Sequence, residues 1–169
     1  MTSTVKDIMD SIVDLNADGI WDSVETVATI DAVVEKVPRT DDDWKQIRRH
    51  SVAIMEASNL LLMPGRRIAA PGQKADDDRI DLRPEEIEAL VKKDPAQWAT
   101  LARGLHDAGL LNRTAAESKD LKKLFEAGEA LDTACENCHK KYWYRDDPTL
   151  YSLDPKKLPV AEAPATDKK

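Results

Sequence analysis

Residues 121–142 read Leu121-Lys-Lys-Leu124-Phe125-Glu-Ala-Gly128-Glu-Ala-Leu131-Asp-Thr-Ala-Cys135-Glu136-Asn137-Cys138-His139-Lys140-Lys141-Tyr142. Leu121, Leu124, Phe125, Gly128, Leu131, Cys135, Cys138 and Tyr142 recur at steps of three and four, which gathers them on one face of a long helix. The spacing predicts that this helix starts around Asn112 to Thr114, with Glu117 placed for a capping box. Its last turns carry the only two cysteines of the chain, and His139 follows the second directly.

Three further helices precede it. Thr4 and Asp7 fit a capping box, and Val5, Ile8, Met9, Ile12 and Val13 make an apolar stripe. That stripe predicts a first helix from Ser3 to about Ala28, bent or broken at Asn16-Ala17-Asp18-Gly19 before Ile20, Trp21, Val24 and Val27 resume it. Thr29–Pro38, rich in β-branched residues, reads as extended. Thr40 caps a second helix whose first turn, Asp41-Asp42-Asp43, complements the helix dipole. Trp44, Ile47, Ile54, Met55, Leu61 and Leu62 form its apolar face, and Met63-Pro64-Gly65 ends it. Residues 64–83 read as a long loop with two Pro-Gly turns, the kind that is often functional or mobile. A short helix begins at Pro84, and Asp94-Pro95-Ala96-Gln97 opens a third long one through Trp98, Leu101, Leu105 and Ala108, fraying near Gly109. After Asp147-Pro148 the chain is proline-punctuated. The expected organisation is therefore a helical domain over 1–147 and a disordered tail over 148–169. Four amphipathic helices joined by loops make the expected fold class all-α, a four-helix bundle.

Composition narrows the function. The chain has 169 residues, 41% hydrophobic and 34% charged, with 32 acidic against 25 basic residues and a net charge of −7. That balance leaves no basic face for nucleic acid and is compatible with a basic protein partner. No run approaches the roughly 18 apolar residues of a membrane span.

Cys135-Glu136-Asn137-Cys138-His139 is the pattern C-x-x-C-H, the attachment signature of c-type haem. On a helix, positions i, i+3 and i+4 share a face. Two thiols there can add across the two vinyl groups of one porphyrin, and the adjacent imidazole comes beneath the iron as proximal ligand. A thioredoxin-like dithiol would follow a strand in a βαβ setting. A zinc site would need distant His50 or His106 as a fourth ligand. A chance pair of core cysteines is the remaining alternative.

An all-helical chain with C-x-x-C-H on its last helix resembles the class II c-type cytochromes, the cytochrome c prime superfamily, over roughly residues 3–145. His139-Lys140-Lys141-Tyr142 is similar to the family's H-x-x-Y continuation. The next position, commonly Arg or Lys in cytochrome c prime, is Trp143 here, which weakens the carry-over of gas-binding chemistry. The resemblance implies one covalent haem c, attached at Cys135 and Cys138, with His139 as proximal iron ligand. It also implies that the first helix faces the sixth position. Met9, near the start of that helix, is then the expected distal ligand, as in the low-spin relatives, with Met55, Met63 or a vacant site as alternatives. Val5 stands one turn before Met9, where the family often has Arg. The implied function is a periplasmic carrier of single electrons rather than an enzyme. It would exchange electrons with redox proteins and be capable of pairing as a homodimer through its first two helices. The runner-up is a five-coordinate protein that binds NO or CO. Met1-Thr2-Ser3 runs straight into the first helix, so the expectation is a chain from which an export leader is absent.

Other residues read more plainly. Arg66 and Arg67 fit a solvated loop better than propionate partners, and Lys140 and Lys141 fit a solvated face better than a docking surface. His50 and His106 read as structural or surface residues. Trp21, Trp44 and Trp98 read as core, one of them against the porphyrin.

Overall fold

The computed structural model describes residues 2–28 and 33–145. The expected tail at 148–169 and the first four residues (29–32) of the extended stretch at 29–38 lie outside the described residues. The described chain is mostly helical. α1 (Val5–Ile8), a π-helical turn (Met9–Val13) and α2 (Asp14–Trp21) run on as one rod. β1 (Glu25–Ala28) and β2 (Val33–Lys36) form an antiparallel pair with Glu25 opposite Lys36 and Val27 opposite Val34. α3 (Asp41–Leu61), α4 (Pro84–Lys93), α5 (Pro95–Ser118) and α6 (Leu121–Tyr142) follow.

The helix starts are set by capping. The Thr4 and Thr40 hydroxyls accept from Asp7 and Asp43 N–H, and both aspartates return the bond. Asp94 accepts from Gln97 N–H at 2.9 Å ahead of Pro95 at the first helical position. α3 packs along α5, α5 along α6 and α2 on α3. Contact between α2 and α6 is thin and includes Trp21 Nε1–H donating to the Gly128 carbonyl at 3.3 Å. The main core gathers Ile8, Ile20, Ile54, Leu105 and Leu131, while Trp44, Ile47, Ala115, Ala116 and Leu124 form a second cluster.

Five sequence expectations are corrected. The first helix ends at Trp21, and Glu25–Ala28 turns into a strand, as the β-branched Thr26 and Val27 favour. The rod does not break at Asn16–Gly19; a Cβ on Gly19 would stand 2.7–2.9 Å from the His50 ring, so this glycine admits α3. Likewise α5 does not fray at Gly109, where a Cβ would meet Met55 Cγ at 2.9 Å and the Ser51 carbonyl at 3.3 Å. Asn112 is therefore no helix start: it is fully buried, donating to the Ala108 and Ala127 carbonyls across α5 and α6. Glu117 pairs with Arg48 and Arg113 instead of capping. The chain breaks at Lys119, left-handed at φ 52°, and Asp120 caps α6 by accepting from Lys123 N–H.

The loop 64–83 turns at Gly65 and Gly72, both at positive φ, and is pinned at several points. Arg67 and Ile68 carbonyls accept from Val5 and Lys6 N–H, covering donors that α1 leaves without helix partners. Farther on, Leu82 N–H donates to the Trp143 carbonyl at 2.7 Å and Arg145 N–H to that of Ile80 at 2.8 Å. The loop thus ties the start of α1 to the end of α6. Among the described residues no helix is long and apolar enough to cross a membrane.

Candidate haem site

α6 runs unbroken through Cys135, Cys138 and His139 before ending at Tyr142, so all three occupy consecutive turns of one rigid element. Glu136 and Asn137, between them, turn away: Glu136 pairs with Lys140 at 3.0 Å and Asn137 is exposed. Both cysteines are free thiols, half-buried. Cys138 and His139 line a cleft of about 160 Å3, together with Met9, Asp10 and Asp14 from the first rod, Asp76 from the loop, and Trp98 from α5. Cys135 lines an adjoining recess of about 30 Å3 shared by Cys138, His139, Met9 and Trp98 and walled by Leu61, Leu101, Ala102 and Leu105. The four residues expected at the site from sequence are thus brought together around the inner recess, and three of them also line the cleft.

Neighbouring rings fix the end of α6. Buried Tyr142 meets Trp98 edge-on at 5.2 Å, and Trp98 donates from Nε1 to the Leu61 carbonyl at 3.1 Å. His139 stands 6.3 Å from the Trp143 ring and 5.7 Å from that of Tyr144. Among the described residues neither imidazole nitrogen of His139 has a hydrogen-bond partner. Burial holds this imidazole below its ordinary pKa, against Asp14, Glu136 and Asp81, which push it up. A neutral imidazole with a free nitrogen is the form that binds a metal. Burial also drives Cys135 up to about 12 and Cys138 to about 11. A working dithiol redox site uses the opposite shift, toward the thiolate.

The zinc alternative loses its ligands. His50 bonds to Asn16 at 2.9 Å and His106 to Asp107 at 3.2 Å, and neither lines the cleft. Among the described residues no group of three or more His, Cys, Asp or Glu is arranged to hold a metal ion. Haem asks for less, because the porphyrin supplies four nitrogens and the protein one or two axial ligands. The donor set therefore fits haem c: two unmodified thiols, a free imidazole, and a thioether side chain on the facing helix. The space is smaller than the roughly 300 Å3 at which ligand pockets begin, so seating a porphyrin requires the cleft to open.

The remaining candidates fall elsewhere. Met55 packs against Gly109, and Met63 is exposed along another groove. Arg66 donates to the Leu60 and Ser3 carbonyls, both at 2.7 Å, so it fastens the loop to the first helix rather than facing the cleft. Trp98 is the tryptophan at the cleft; Trp44 lies in the second cluster and Trp21 at the α2–α6 contact. Sequence periodicity missed the three aspartates at the mouth. Asp14 stands five residues from Met9, a spacing that shares a face only through a π-turn, and Asp76 arrives on the loop. Compared with known proteins, the chain matches no protein-family model, no curated protein and no solved structure.

Proposed function

We propose that this chain is a monohaem c-type carrier of single electrons, a four-helix bundle working in the periplasm. The observation that carries the reading is the meeting of Cys135, Cys138 and His139 on α6 with Met9 on the first rod around one recess, all four lining it. Each thiol would form an S–C bond to one vinyl carbon while its hydrogen goes to the neighbouring carbon, a balanced addition that needs no oxidant. The His139 imidazole and the Met9 sulfur are the residues that would ligate the iron. Bound there, haem supplies a one-electron iron couple whose potential methionine ligation raises.

The chain's own residues do the rest. Leu61, Leu101, Ala102 and Leu105 wall the inner recess against water, and Trp98, held by its bond to the Leu61 carbonyl, lines both the recess and the cleft. Asp10 and Asp14 line the cleft as exposed carboxylates, while Asp76 beside them is paired with Lys6 at 2.6 Å; the two acids unpaired among the described residues support a basic redox partner approaching there. An absorption spectrum of the reduced protein tests the ligation. The expected form is low-spin and indifferent to CO at neutral pH. A high-spin ferrous form that takes up CO would remove Met9 from the iron and favour gas binding instead.

A further inference from the structure

The first rod changes register where Met9 lies. Asp14 N–H bonds to the Met9 carbonyl, five residues back, so the turn holds one residue more than an α-helix would. The pairs Ile8–Val13 and Ile12–Ala17 are also five apart, and all four side chains pack in the main core. In an uninterrupted α-helix that separation would turn the second member about 140° off the face. The π-turn removes the offset. It lets Val13, Ala17 and Ile20 stay in the core while Met9 and Asp14 face the cleft.

A π-turn is not what this backbone adopts by default, and two side chains outside the cleft hold it. The Asn16 amide nitrogen donates to the Ile12 carbonyl, inside the turn, at 2.6 Å. With that nitrogen committed, Asn16 Oδ1 faces His50 on α3, and His50 Nδ1–H donates to it at 2.9 Å. Gly19 makes room for the ring, since any Cβ there would stand within 2.9 Å of it. Asn16, Gly19 and His50 thus form one assembly that ties the turn to α3.

We propose that Asn16 and His50 are positioning residues that lock the π-turn and thereby hold the Met9 sulfur at the distal face of the iron. This rests on the haem reading above, and neither residue touches the cleft. In the haem-loaded protein, Asn16→Leu and His50→Leu raise the fraction of high-spin, CO-binding ferrous protein about tenfold, the effect of losing one half-buried hydrogen bond on the ligation equilibrium. His50→Asn, which places an amide nitrogen where Nδ1 stood, restores the low-spin spectrum. Gly19→Ala, a change that favours helix, displaces the ring and gives the same shift in a chain that keeps its fold. Trp21→Phe is the control: it loses the bond to Gly128 on the same rod, lowers the melting temperature and leaves the spectrum unchanged. If Asn16→Leu, His50→Leu and Gly19→Ala behave like Trp21→Phe, losing stability with wild-type spectra, the lock is overturned. Met9→Ala separates the two levels. High-spin conversion in Met9→Ala alone overturns only the lock, whereas no conversion in Met9→Ala overturns methionine ligation itself.

Discussion

The two ends of the helical core are built from the same helices and treat space in opposite ways. At the end holding Trp44, Ile47, Ala115, Ala116 and Leu124, small residues let α3, α5 and α6 close on one another, and Asn112 stitches α5 to α6. At the end holding Cys135, Cys138 and His139, the same α6 faces a cleft whose walls are tryptophan, methionine and carboxylates. Alanine at 115 and 116 gives way to groups that carry chemistry, and the first rod departs from α-helical register to meet them. The packed end is closed by side chains in contact, whereas at the other end thiols, imidazole and thioether border open space.

The strongest way to break that contrast is to damage the packed end. Leu124→Ala removes a fully buried side chain and should cost about 2–5 kcal/mol in urea unfolding of the haem-loaded protein, with the visible spectrum unchanged. A shifted spectrum would mean that the two ends are not independent. Next in size is an alkaline effect confined to the open end. In the haem-free protein, burial raises Cys135 to about 12 and Cys138 to about 11, from an ordinary value near 9. Above that value the unfolded chain sheds thiol protons that the folded chain retains, so stability falls as pH rises from about 9 toward 12. Relative to a Cys135→Ala/Cys138→Ala chain, the wild type should lose on the order of 2–3 kcal/mol by about pH 10. Parallel pH curves for the two would place the thiols in water rather than in the cleft. The smallest effect sharpens the boundary between the ends. Trp98→Phe gives up the bond to the Leu61 carbonyl and should cost about 1 kcal/mol while altering the visible circular dichroism, because this ring lines the cavity. A stability change without a spectroscopic one would move Trp98 to the structural side.

What the sequence made legible follows the same division. Helix starts at Thr4, Thr40 and Asp94 were readable because a cap is a local device: the side chain satisfies a backbone donor three residues on, wherever the helix later packs. The spacing of Cys135, Cys138 and His139 was readable for the same reason, since one helix sets it. The glycines were not. Gly19 and Gly109 looked like interruptions, but each is an opening for a partner helix, and a single helix cannot reveal what approaches it. The π-turn hid in the same way. Asn16-Ala17-Asp18-Gly19 reads as a bend or break in the stripe, whereas the rod runs on there and changes register upstream, over Met9–Val13. Glu25–Ala28 shows the reverse error, helical periodicity carried past Trp21 into residues that pair as a strand. The loop 64–83 was visible as a loop, but its anchoring of both chain ends of the site depends on backbone bonds to Val5, Lys6 and Trp143 that no pattern encodes.

Covalent haem at Cys135 and Cys138 is the claim on which the rest stands. The direct measurement is a haem-stained denaturing gel of the chain made with an export leader in a host that attaches haem c, beside a known c-type cytochrome from the same host. Thioether-linked haem survives denaturation, so the account predicts a stained band at the size of this chain and none for Cys135→Ala/Cys138→Ala. An unstained wild-type band next to a stained control would contradict it.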